Sequence, residues 1–163
     1  MPKLTIIESH KFYFKPDDSI PNNSVPVILH ITESSLSGDD LADLFKSTFA
    51  KNGWTNSWRW GMYDYHHFHS NTFEVLAVYK GDAKIQLGGE TGQILTIKTG
   101  DVLILPPGTG HKCIAHSKDF KLIGAYPNGI EPDLYRSSSN NIAIILKNIE
   151  QVKMYEKDPL GNI

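Results

Sequence analysis

From about residue 58 to 126 apolar and polar side chains alternate, a period of two that extended strands produce and helices do not. Ile85 and Leu87 alternate with polar neighbours, and so do Leu95 and Ile97. Gly88-Gly89-Glu90-Thr91-Gly92 between them predicts a hairpin turn. Phe73–Tyr79, Val102–Leu105 and Phe120–Ala125 are denser apolar runs, the pattern of strands covered on both faces. Short strands at this spacing, punctuated by Gly and Pro, predict a mainly β chain closed as a barrel or sandwich.

The flanks read differently. Residues 1–35 are mixed, and Val25–Ile31 reads as a strand whose Pro26 marks an edge or a strand start. Residues 37–53 predict a helix. Leu41, Leu44, Phe45, Thr48 and Phe49 form its apolar stripe, Ser37 and Asp40 suggest a capping box, and Asn52-Gly53 ends it. This helix is expected to cover a sheet face. Residues 127–137 read as a loop, a second helix is expected near 139–151, and the tail around Asp158–Gly161 is expected to be extended. At 163 residues, one domain is the expectation: a core over 58–126, an N-terminal extension over 1–57, and a C-terminal helix and tail over 127–163.

Charge removes several classes of function. Sixteen Lys and Arg stand against 18 Asp and Glu, a net of −2, so no basic patch is expected for nucleic acid or an anionic membrane. No stretch is long and apolar enough to span a bilayer, and Met1–Glu8 lacks the pattern of a signal peptide. The lone Cys113 cannot form an intramolecular disulfide, which fits a reducing, cytoplasmic setting.

Histidine is the informative residue. His66, His67 and His69 crowd one window, and Glu74 follows. On a strand, Tyr63, Tyr65, His67 and His69 would share one face, with His66 and Phe68 on the other. Two imidazoles and a nearby carboxylate make a partial metal site suited to Fe, Ni, Cu or Zn. Downstream, a strand runs from Gly100 into Pro106-Pro107-Gly108 and delivers His111 onto the next strand. By the same alternation Cys113 and Ala115 share the face of His111, and His116 faces away.

Together the two blocks resemble the cupin superfamily. Its first motif is met by Gly61, His67, His69, Glu74 and Gly81, and its second by Gly100, Pro106, Gly108 and His111, with Ala115 where the pattern has Asn. That Asn is no ligand in the family pattern, so its loss bears on local packing. Flanking segments, among them Tyr63-Asp64-Tyr65-His66-His67 and Gly124-Ala125-Tyr126-Pro127, are similar to the small YjlB-like cupins over nearly the whole chain. The resemblance implies a jelly-roll β-barrel with flanking helices, holding one divalent metal ion (Fe, Mn, Ni, Co or Zn) through His67, His69, Glu74 and His111. Three neutral imidazoles and one carboxylate leave two octahedral positions open for a further ligand. It also implies a homodimer.

Tyr63 and Tyr65 are the candidate catalytic side chains, against a role as mere filling of the barrel mouth. Cys113 reads as a small buried hydrophobe ahead of a pocket-lining or metal-bound thiol, and Trp54, Trp58 and Trp60 as packing against the helix or a second subunit ahead of rimming a pocket. The expected function is a metal-dependent enzyme acting on a small molecule, a dioxygenase, isomerase or lyase. The alternative is a cupin that binds or senses a small molecule without turnover. A direct transcriptional regulator is not expected, since no helix-turn-helix or basic surface accompanies the barrel. An intact four-residue set also argues against a metal-free sugar epimerase.

Overall fold

The computed structural model describes residues 2–161. Strands β1 (Thr5–Phe12) and β2 (Val27–Glu33) precede helix α1 (Gly38–Lys51). Then come β3 (Trp54–Trp60), β4 (Glu74–Lys80), β5 (Asp82–Leu87), β6 (Gln93–Lys98), β7 (Asp101–Leu105), β8 (His111–His116) and β9 (Lys121–Pro127), and last helix α2 (Ile142–Gln151). The pairings are antiparallel and form two sheets, ordered β1-β2-β7-β4-β9-β3 and β6-β5-β8.

The two sheets enclose one apolar core. Leu29, Leu76, Leu103, Leu105 and Leu122 of the larger sheet meet Ile85, Leu87, Ile97 and Cys113 of the smaller. Alternate residues of the same central strands, Val75, Ala77, Val102, Ile104, Ile123 and Ala125, form a second core with Leu41, Ala42, Phe45 and Phe49 of α1. The dense apolar runs are therefore strands β4, β7 and β9, buried on both faces as read.

Four local expectations are corrected. Residues 5–12 form a strand that the mixed composition of 1–35 hid; this strand lies outside β2, so of the two readings of Pro26 the strand start holds, directly before Val27, and the edge does not. Ser37 is extended ahead of α1, but its side chain makes no capping hydrogen bond. Residues 61–73 are irregular; the segment meets β8 through an isolated bridge of His67 with His111 and a bond from Cys113 N–H to the Tyr63 carbonyl, while Phe68 bridges to Tyr135. The tail turns back where extension was expected. Gly161 N–H bonds the Asp158 carbonyl at 2.8 Å, and Trp54 Nε1 donates to the Lys157 carbonyl at 2.9 Å. Tyr155 packs edge-on against Trp54 and Phe73, so this tail, together with α1, covers the outer sheet face.

Helix α2 has a different task. Its Ile145 and Ile149 pack with Ile20, Phe68 and Tyr135 in a third cluster, beneath the segment that carries the clustered histidines. No helix among the described residues is long and apolar enough to cross a membrane.

Candidate metal centre

The histidine segment is tied to β8 by a two-way bridge. His67 N–H donates to the His111 carbonyl at 3.2 Å, and His111 N–H returns the bond at 3.0 Å. The ring centroids of these two residues are then 3.9 Å apart. Between the histidines, Phe68 points the other way and is fully buried in the α2 cluster. His66 turns outward as well, to Glu90 Oε1 at 2.6 Å. The alternation read from sequence thus holds at these residues although the segment is not a strand.

Gly108 closes the opposite turn. Its φ is +86°, and a Cβ there would lie 2.7 Å from both the Asn22 carbonyl oxygen and Ile149 Cδ1. Only glycine takes this conformation and this contact without strain. Gly108 N–H then reaches the His69 carbonyl at 2.7 Å, fastening the second motif to the first.

Each of the three histidines is held by Nδ1. His67 donates to the Tyr65 carbonyl at 3.0 Å, His111 to the Thr109 carbonyl at 3.0 Å, and His69 to the Asp133 carbonyl. A carbonyl only accepts, so Nδ1 carries the hydrogen and Nε2 is the nitrogen left to coordinate. This is the orienting bond that metal-ligating imidazoles use. Glu74, the first residue of β4, receives two of them: His69 Nε2 lies 3.4 Å from Oε2, and His111 Nε2 lies 3.3 Å from Oε1. Ligand atoms of His69, Glu74 and His111 all lie within 4.8 Å of one another. His67 does not join that trio, although its ring packs on His111 and lines the same cavity.

The charges follow from burial. Burial disfavours a charge on His69, but the Glu74 carboxylate outweighs it and raises the imidazole to about 9. Burial would likewise raise Glu74, yet His69 and His111 hold it below the usual carboxylate range. His67 is pushed down to about 3, by burial first and then by repulsion from His111. Without a metal, the trio is an ion pair beside a neutral His67. A divalent cation would replace the His69 proton as the partner of Glu74, so the donor set fits such an ion.

Two residues of this site were not singled out as functional from sequence. The Tyr126 hydroxyl donates to Glu74 Oε2 at 2.8 Å, and Trp58 Nε1 donates to the Tyr126 oxygen at 2.8 Å. Burial and then the carboxylate raise the Tyr126 hydroxyl above its ordinary value, so it stays a donor. Trp58 lies opposite Gly124 and Tyr126 opposite Thr55, so the two side chains meet diagonally through a β3–β9 pairing that no motif spacing reveals.

A cavity of about 300 Å³ opens above the trio. Trp58, Trp60 and Tyr63 line it, so Trp58 and Trp60 take the less favoured reading of a pocket rim, although Trp58 also packs against the main core, and Trp54 is buried as a packing residue. Tyr63 stacks on Tyr65 at 4.9 Å, and Tyr65 stands behind it under Arg136 rather than in the cavity wall. Cys113 is buried in the main core, as expected of a small hydrophobe. Beyond it, the register with β5 skips Ile114, and Ala115 turns outward opposite the exposed Lys84. Ala115 therefore does not share the His111 face, and the alternation that sent His116 away is broken at this bulge.

The profile of the Cupin domain family matches residues 61–125. A Bacillus subtilis (strain 168) protein, "Uncharacterized protein YjlB", is 36% identical over 154 residues, covering 94% of this chain and 90% of that one. This chain is a cupin. Among solved structures, this cupin is similar to the WlaRB TDP-quinovose 3,4-ketoisomerase from Campylobacter jejuni, with a TM-score of 0.46 and 14% identity, covering 88% of this chain and 100% of that one. It is also similar to acireductone dioxygenase from Bacillus anthracis with cadmium in its active centre, with a TM-score of 0.41 and 14% identity, covering 61% and 71% of the two chains.

Proposed function

We propose that this cupin holds one divalent metal ion through His67, His69, Glu74 and His111 and is a metal-dependent enzyme acting on a small molecule. The observation that carries the reading is the convergence of His69, Glu74 and His111 donors at the floor of an open cavity. The three Nδ1 bonds to carbonyls leave the Nε2 lone pairs free for coordination, and His67 supplies the fourth donor from its place against His111.

A bound divalent ion would supply Lewis acidity toward a substrate oxygen, the common opening of oxygenation, isomerisation and lyase chemistry at such sites. The chain does the rest. Glu74 balances part of the positive charge, and Tyr126 holds the carboxylate in one rotamer. The apolar wall limits water. Tyr63, whose ring meets His67 edge-on at 5.1 Å, is the side chain placed to exchange a proton with a bound molecule.

Metal analysis of protein purified without a histidine tag tests the site. About one equivalent of Fe, Mn, Ni, Co or Zn per chain is expected, lost in a folded His111→Ala variant. Absence of metal after purification, with none taken up on addition, overturns the proposal.

A further inference from the structure

The cavity wall narrows the class of molecule that the proposed metal site would serve. Two of the polar atoms that its aromatic side chains carry are taken by neighbours. The Trp58 N–H is used by Tyr126, and the Tyr126 hydroxyl by Glu74. The Trp58 indole lies over Gly124, where a Cβ would come within 2.4 Å of the ring. Apart from the histidine–glutamate floor, the Trp60 indole and the Tyr63 phenol, most of the remaining wall is ring surface and the apolar side chains of Met62, Leu76, Leu122 and Leu134. Asp133 also lines the space, yet both its carboxylate oxygens are taken by Ser70, through the backbone N–H and the hydroxyl.

No lysine or arginine lines the cavity among the described residues. Arg136 packs over Tyr65 at 3.8 Å instead. A phosphate or a polycarboxylate would therefore enter with its charge unmatched, except at the metal itself. A sugar would leave most of its hydroxyls against ring and aliphatic surface. At about 300 Å³ the volume equals about ten waters, which suits a molecule of about ten heavy atoms. Trp60 and Tyr63 meet edge-to-face at 5.2 Å near the mouth, a pair of surfaces that a flat ring can stack against.

We propose that the cavity takes a small aromatic carboxylate or phenol, its ring against Trp58, Trp60 and Tyr63 and its oxygen donors turned toward the histidine–glutamate floor. This inference rests on the metal reading above.

The test titrates metal-loaded protein with salicylate and catechol, and in parallel with hexanoate and glucose 6-phosphate. Tryptophan fluorescence and the visible spectrum of a Co(II)-substituted sample are the readouts. Saturable binding of the aromatic probes, about tenfold tighter than either comparison compound, is expected. Trp60→Ala should weaken the aromatic probes by about fivefold to tenfold while leaving metal content unchanged, because Trp60 touches none of the proposed ligands. If the protein takes up no metal, the metal reading fails and this inference with it. If it is metal-loaded but hexanoate or glucose 6-phosphate binds as tightly as salicylate and catechol, or no probe binds, the metal reading survives and the aromatic class is overturned.

Discussion

A carboxylate on a strand can rotate, and in Glu74 the Tyr126 hydroxyl restrains it together with His69 and His111. The shortest of these contacts is the hydrogen bond of 2.8 Å from the Tyr126 hydroxyl, itself anchored by Trp58. Tyr126→Phe removes that bond while keeping the ring. It should weaken metal binding by about tenfold to hundredfold, the usual range for such supporting contacts. Competition against a chromophoric chelator measures this, and an unchanged affinity would show that Glu74 needs no such support. The imidazoles make a second prediction, for the metal-free protein. His67 titrates near 3 when folded, against 6.5 as the reference value, so the unfolded chain binds more protons between those limits, and stability falls as pH drops through them. His69 titrates near 9, so the folded chain binds the extra proton between 6.5 and 9, and its stabilisation is complete below 6.5 and lost as pH rises toward 9. Urea midpoints of chelated protein should therefore show a contribution from these two residues that peaks near pH 6.5. His69→Gln should flatten the alkaline side, and an unaltered alkaline slope in that variant would contradict the ion pair with Glu74.

At the scale of elements, the helices divide their work. Helix α1 covers the outer face of the large sheet through Phe45 and Phe49, whereas α2 supports the histidine segment through Ile145 against Phe68. Deleting a fully buried ring costs about 3–5 kcal/mol in either place, but the consequences for the site should differ. Phe45→Ala should lower the urea midpoint and leave metal affinity intact. Phe68→Ala should lower both, because the residue lies between two proposed ligands and fixes their entry angle. Equal metal affinity in the two variants would show that the bridge to His111 alone holds the segment. The same contrast explains what was legible beforehand. α1 announced itself by an apolar stripe, and the two motifs singled out Glu74 and His111, whose donors the fold brings together with His69, because these features are local and periodic. Strand β1 was invisible: an outer strand whose residues are mostly exposed carries no burial pattern to read. Trp58 and Tyr126 were invisible as partners for a different reason, since 68 positions separate them and only strand pairing brings them together.

The whole molecule gives the proposed metal site its mechanical meaning. Glu74 opens β4 in the six-stranded sheet, His111 opens β8 in the three-stranded sheet, and His67 and His69 belong to the segment that joins β3 to β4. An ion shared by these residues would join the two sheets at one end, where aromatic and polar groups replace the aliphatic core found farther in. Binding to the folded chain alone must then stabilise it, by about 2.7 kcal/mol at a free metal concentration of about a hundred times Kd. For a chain of this size that corresponds to a rise of about 5–10 °C in Tm. The rise should vanish in His111→Ala and persist in Phe45→Ala, whose baseline is lower but whose donors are untouched. Hydrogen exchange should locate the gain at the starts of β4 and β8 and across residues 66–69, with little change in β1 or in α1. A uniform gain across the chain would mean that the ion acts elsewhere, and a rise retained by His111→Ala would remove His111 from the ligand set.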